Sequence, residues 1–146
     1  MTGSDKIRVD DKGRLAFPSR FRDCLQSGGN WYLTGHPHGC LALYSEARFQ
    51  KIVKHFEESP NMSYFDSHLE EVIVGSAEFM QLDSAGRILI PNHLRERAVI
   101  KRDVLLFVMS GRMRIWDEER WEQRNQVMEA RLQDEEFSQQ WRNLNI

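Results

Sequence analysis

At 146 residues and 40% apolar content, the chain can build a real core and sits near the size of one domain or two small ones. No run approaches the roughly 18 to 20 apolar residues of a membrane span, and charges fill the stretch 1–10 where a signal peptide needs an apolar run, so the expected location is the cytoplasm. The formal net charge of −2 argues by itself against a nucleic-acid protein, but its distribution is uneven: six cations face three acids between Asp5 and Arg22, and eight acids face four cations between Asp117 and Ile146.

In chain order, Ile7 and Val9 alternate with Arg8 as a short strand, 10–13 is a turn, and 14–17 is a second strand. Pro18 ends that strand and Ser19 caps a helical turn through Cys24, followed by a Ser/Gly loop at 26–30. A hairpin is predicted from 31–35 and 40–44, and Ser45 caps a helix whose Phe49, Ile52, Val53 and Phe56 share one apolar face. The stretch 59–63 is a linker, and 64–74 a helix closed near Gly75. Strands follow at 78–82, 87–90, 104–109 and 112–116, with Asp117 as the next helix cap. Trp121, Val127, Met128 and Leu132 mark a folded helix after it, and 134–146 is read as a mobile tail.

The chain repeats itself. Shifted by 73 positions, residues 7–22 fall on 80–95 without a gap: Asp10, Gly13, Arg14, Pro18 and Arg22 meet Asp83, Gly86, Arg87, Pro91 and Arg95. Further on the shift is 72, with Gly39, Leu43, Tyr44, Arg48 and Phe49 on Gly111, Ile115, Trp116, Arg120 and Trp121, so one residue was lost in an intervening loop. Neither copy can bury enough surface alone, whereas two copies can share a core. The division is a first repeat with its helix (1–58), a linker and helix (59–77), and a second repeat with a C-terminal helix (78–146).

The chemistry concentrates in Asp10 to Pro18, D-D-K-G-R-L-A-F-P, and Asp83 to Pro91, D-S-A-G-R-I-L-I-P. Gly13 takes φ > 0 without strain and thrusts Lys12 and Arg14 outward, while Asp10 reaches across the turn to hold the Arg14 guanidinium. Arginine offers a planar fork suited to phosphate oxygens or the O6/N7 edge of guanine. The opposing reading is a pair of turn-stabilising surface ion pairs worth about 0 to 1 kcal/mol each. Arg8, Lys12, Arg20 and Arg22 weigh against it, because a solvated turn does not need them nearby. From Glu78 to Arg97 the charges sum to zero, so the first copy is expected to dominate contact with DNA.

These segments resemble the D-x-x-G-R signature of AbrB-type swapped-hairpin DNA-binding domains, and two in register, with G-S-A-E-F-M-Q-L-D at 75–83 and the 116–121 segment, resemble the MraZ family over nearly the whole chain. The resemblance implies an α+β fold in which two swapped-hairpin repeats form a pseudo-two-fold β-barrel flanked by helices. It implies a transcriptional regulator of the bacterial cell-division and cell-wall gene cluster, binding direct repeats in promoter double-stranded DNA as a homo-oligomeric ring of eight or more, cytoplasmic and nucleoid-associated. Carried over, the DNA-binding residues are Lys12, Arg14, Arg22, Arg87 and Arg95, with Arg8 beside them, and Asp10, Gly13, Asp83 and Gly86 support the turns. The alternative is an antitoxin-like module that binds its own operator and uses a disordered tail to cap a toxin.

No catalytic constellation stands out, and neither enzyme activity, small-molecule substrate, membrane partner nor cofactor is expected: the five histidines are scattered and no phosphate-cradling Gly-rich loop is present. His36, His38 and Cys40 alternate in a hairpin turn with no C-x-x-C nearby, so a structural role outweighs a zinc site. Cys24 and Cys40 are read as small buried hydrophobes. Trp116, Trp121 and Trp141 lie in an acidic setting, which favours packing over nucleic-acid stacking.

Overall fold

Residues 103–109 alternate buried and half-buried along their length, the signature of a strand with one face on a core. The computed structural model that contains it describes residues 2–27 and 29–146. Its elements run β1 (Gly3–Arg8), β2 (Arg14–Ala16), α1 (Ser19–Ser27), β3 (Trp31–Gly35), β4 (Leu41–Ser45), α2 (Glu46–Glu57) and α3 (Tyr64–Ile73). The second half follows as β5 (Glu78–Met80), β6 (Arg87–Leu89), α4 (Asn92–Arg97), β7 (Asp103–Met109), β8 (Arg112–Asp117), α5 (Glu118–Arg131) and α6 (Glu135–Arg142).

All strand pairs are antiparallel, and the two copies are interwoven rather than set side by side. The main sheet has the order β1-β7-β8-β4-β3-β5, and β2 pairs with β6 in a separate ribbon. Exchanging each strand for its equivalent in the other copy reverses the six-strand order and leaves the sheet unchanged, so a pseudo-two-fold axis passes between β4 and β8. The registers locate it: Ala42 faces Arg114 and Leu15 faces Ile88, each residue opposite its own repeat equivalent. The pairing of β1 with β7 sets Ile7 against Val104, and that of β3 with β5 sets Met80 against Trp31, the same contact made twice.

One core serves both copies. Leu15 and Ile88 from the ribbon, Leu41, Leu43, Met113 and Ile115 from the central strands, and Phe17, Phe21, Ile90 and Leu94 pack in one cluster, each almost fully buried. Burying a side chain of this size contributes about 1.5–3 kcal/mol, which is why the short β2 and β6 hold their place without extending the main sheet. On the opposite face of the sheet a smaller cluster seats Phe49, Ile52 and Val53 of α2 against Ala42 and Tyr44. Ser45 and Asp117, equivalent residues, cap α2 and α5 by accepting from the backbone N–H of Arg48 and Arg120. Ser63 and Asp66 close a capping box at the start of α3.

Several expectations need correction. The expected barrel does not close: the six-stranded sheet ends on β1 and β5, and the ribbon pairs with itself across the axis, meeting the β1 edge through the isolated Val9–Leu15 bridge. The first strand begins at Gly3 rather than Ile7, since β7 supplies partners as far as Val108. The first helix runs past Cys24 to Ser27, where Leu25 adds a buried contact. Of the loop expected at 26–30, position 28 lies outside the described residues, as does Met1. The stretch read as a mobile tail contains α6, which buries none of its side chains, although α3 at the equivalent place in the first copy buries Val72.

Candidate nucleic-acid interface

Each D-x-x-G-R loop is a closed hydrogen-bonded unit. In the first, Asp10 Oδ1 accepts from the backbone N–H of Lys12 at 3.0 Å and of Arg14 at 2.8 Å, while Oδ2 accepts from Arg14 Nε at 2.7 Å. In the second, Asp83 accepts from the backbone of Ala85 and Arg87 and from Arg87 Nε, each at 2.9 Å. Gly13 and Gly86 turn the chain at φ of 86° and 77°, values L side chains avoid. Backbone hydrogen bonds to Arg14 hold the Asp10 carboxyl below the usual carboxylate range, and those to Arg87 do the same for Asp83.

The loops are locked to each other. Phe17 donates its N–H to the Gly86 carbonyl at 3.0 Å, and Ile90 donates to the Gly13 carbonyl at 2.8 Å. Arg95 lies over Gly13 so closely that a Cβ there would come within 2.6 Å of its guanidinium, and Arg22 lies over Gly86 at 2.5 Å by the same measure. The hairpin turns repeat the device, with Arg48 over Gly111 and Arg120 over Gly39. In all four cases an arginine of one copy covers a glycine of the other.

Register decides what the ribbon shows to solvent. Arg14 faces Leu89 and Ala16 faces Arg87, so these four share one face, and Leu15 and Ile88 point oppositely into the core. Leu89 is 53% exposed, and the Arg14 and Arg87 side chains are each 34% exposed. Diagonal neighbours on such a pair sit about 7–8 Å apart. Among the described residues, both guanidiniums use only Nε in hydrogen bonding, which leaves their terminal nitrogens to a ligand. The face therefore offers two pinned arginine forks flanking an apolar patch.

The other sequence-selected cations fall elsewhere. Arg8 leans on Asp103 at 3.7 Å, Arg20 donates to the Ser4 carbonyl at 2.6 Å, and Lys6 pairs with Glu118 at 2.9 Å. Arg22 donates Nε to the Phe17 carbonyl at 2.8 Å, whereas Arg95 Nε is buried without a partner. Of the six cations between Asp5 and Arg22, only Lys12 has neither an ion pair nor a side-chain hydrogen bond among the described residues. Arg102 was missed: it is exposed, and with Arg95 and Lys101 it lines the recess beside Asp10. Its signal in the sequence is the K-R pair at 101–102, a few residues past Arg97. The equivalent recess beside Asp83 has Gly29 in its place.

Burial, aided by Arg114, pushes the His36 pKa down to about 4, and burial raises the Cys40 thiol to about 11. Trp116 is buried, Trp121 packs against Phe107, and Trp141 is largely exposed.

Fold and site together define a duplicated α+β protein built round two interlocked D-x-x-G-R loops that display a pair of clamped arginines. The family model for MraZ proteins, described as antitoxin-like, matches residues 1–70 and 73–143, one copy after the other, and the chain belongs to that family. It is 39% identical over 127 residues to the transcriptional regulator MraZ of Dechloromonas aromatica, covering 86% of each chain. Against the protein of the same name from Marinobacter nauticus it is 34% identical over 148 residues, covering 99% of this chain and 97% of that one.

Proposed function

We propose that this protein is a transcriptional regulator that grips promoter double-stranded DNA with the β2–β6 ribbon. The observation that carries the reading is the pair of guanidiniums fixed by Asp10 and Asp83 on an exposed two-stranded ribbon, the width of element that a major groove admits. Pinning removes rotamer freedom before binding, so less is lost when the terminal nitrogens meet phosphates or base edges. Arg14 and Arg87 are the direct contacts, with Lys12 and Arg102 added on the first loop's side. Arg22 and Arg95 back the opposite glycine, and Arg8 contributes at the margin. The surplus beside Asp10 supports dominance of the first copy. The interlocked loops are read as the swapped-hairpin unit.

One ribbon making a few phosphate contacts binds near non-specific strength, about 10⁻⁴ to 10⁻⁶ M. Several copies on direct repeats gain avidity of roughly 10² to 10⁴ per added engagement. A homo-oligomeric ring of eight or more is the assembly proposed, acting on the cell-division and cell-wall gene cluster at the nucleoid. The solvent-exposed Val127, Met128 and Trp141 of the C-terminal helices, with Leu144 just past α6, support association between copies. That α5 and α6 are helical favours this reading over an antitoxin with a disordered tail.

The test is a mobility-shift titration against the promoter fragment over a salt series, with light scattering on the same samples. Arg14→Ala is expected to weaken binding more than Arg87→Ala, each by about 1–3 kcal/mol, and Lys12→Ala to reduce the salt slope by about one. Equal losses would refute the asymmetry between copies. A monomer that ignores duplex DNA at low salt would end the proposal.

A further inference from the structure

The face of the main sheet opposite the ribbon carries a second concentration of positive charge. Met113 and Ile115 point into the shared core, so Arg112 and Arg114, alternating with them on β8, stand on the other face. There they meet Arg48, Lys51 and His55, which recur along α2 at spacings of three and four and so share one side of it. Between them lies a cavity of about 370 Å³, floored by Ile52, Phe56 and Ile73 and edged by Tyr44. No acidic residue lines it. Among the described residues, none of the four Arg and Lys side chains forms an ion pair, although the chain as a whole is acidic.

Two observations show that this is more than a solvated basic surface. The Nε atoms of Arg112 and Arg114 are buried without partners. Packing therefore holds both stems at the cavity wall, Arg114 standing between this cavity and the neighbouring recess lined by Trp116 and Arg124. The cluster also breaks the internal symmetry: the positions equivalent to Lys51, His55, Arg112 and Arg114 are Gln123, Val127, Cys40 and Ala42. The other copy folds without these charges, so the fold does not require them. Cations gathered beside an apolar floor repel one another until an anion enters.

We infer that the cavity between α2 and β8 binds a small phosphate monoester carrying a compact apolar or aromatic group, the phosphate held by Arg48, Lys51, Arg112 and Arg114 and the apolar part seated on Ile52, Phe56 and Ile73. Arginine forks fit phosphate oxygens bidentately, and Lys51 adds a point charge. The site lies across the sheet from the ribbon, so the phosphate comes from a free small molecule rather than from the DNA backbone.

The experiment is isothermal titration of the full chain at low ionic strength with phenyl phosphate, inorganic phosphate and benzyl alcohol. Phenyl phosphate is expected to bind once per chain, inorganic phosphate more weakly, and benzyl alcohol not at all. Arg114→Ala is expected to lose about tenfold or more in affinity, corresponding to one charge-assisted contact, while Arg14→Ala binds as the parent does. Arg114→Lys keeps the charge without the fork and falls between. In melts without ligand, Arg114→Ala is no less stable than the parent, because it relieves repulsion, and it loses only the shift that phenyl phosphate gives the parent. Absence of saturable binding, or binding untouched by Arg114→Ala, overturns the assignment. So does a loss of duplex binding in Arg114→Ala equal to that in Arg14→Ala, which would place DNA in the cavity. A fall in its mass by light scattering would instead place an acidic segment of a second copy there.

Discussion

Substituting Gly86 and Gly13 in parallel tests how the two repeats are locked. Either alanine must adopt a left-handed backbone, at a cost of about 1–2 kcal/mol. Either new methyl also displaces the arginine above it, and there the two differ. At Gly86 the displaced group is Arg22, whose Nε bond to the Phe17 carbonyl is lost, a charged hydrogen bond worth about 1.5–3 kcal/mol. At Gly13 the displaced group is Arg95, whose Nε has no partner to lose. Gly86→Ala is therefore expected to destabilise by roughly 2.5–5 kcal/mol and Gly13→Ala by roughly 1–2 kcal/mol. Urea unfolding at one fixed protein concentration measures both, the concentration being held because any association between copies adds to apparent stability. Equal losses, or a larger loss at Gly13, would refute the idea that the arginine bond rather than backbone strain sets the difference.

Other outcomes follow from the same geometry. Because Asp10 and Asp83 titrate below their unfolded values, the stability they contribute is present above the ordinary carboxylate range and lost as pH falls through the depressed pKa values. Stability measured between neutral pH and about pH 3 should thus fall less steeply in the Asp10→Asn, Asp83→Asn double variant than in the parent, and identical acid limbs would contradict the assignment. With its thiol buried and raised to about 11, Cys40 is expected to resist iodoacetamide at pH 8 until the protein unfolds, while the partly exposed Cys24 reacts in the native state. Mass spectrometry of the alkylated peptides checks this, and native labelling of Cys40 would show that the hairpin opens.

The D-x-x-G-R loops were legible because their physics is local: a carboxylate, a glycine and an arginine within five residues define which hydrogen bonds can form. The same holds for the caps at Ser45 and Asp117 and for the 31–45 and 104–117 hairpins, whose partners lie close in sequence. The 73-residue shift revealed the duplication and, with it, the equivalence of the two loops.

Pairing over long separations was decided only by the tertiary structure. Nothing in the sequence states that β1 lies on β7 or that β2 crosses to β6, since alternating apolar residues fit any partner strand that buries the same face. Those pairings moved the charges as well: Glu118 and Asp103 neutralise Lys6 and Arg8 across about a hundred residues of chain, so a local excess of cations in the sequence became mostly paired in the fold. They also laid Arg22 and Arg95 over the other copy's glycines, and brought Arg112 and Arg114 beside α2. Residue type fixed which turns and caps could form, while the burial of one shared core fixed which distant residues meet.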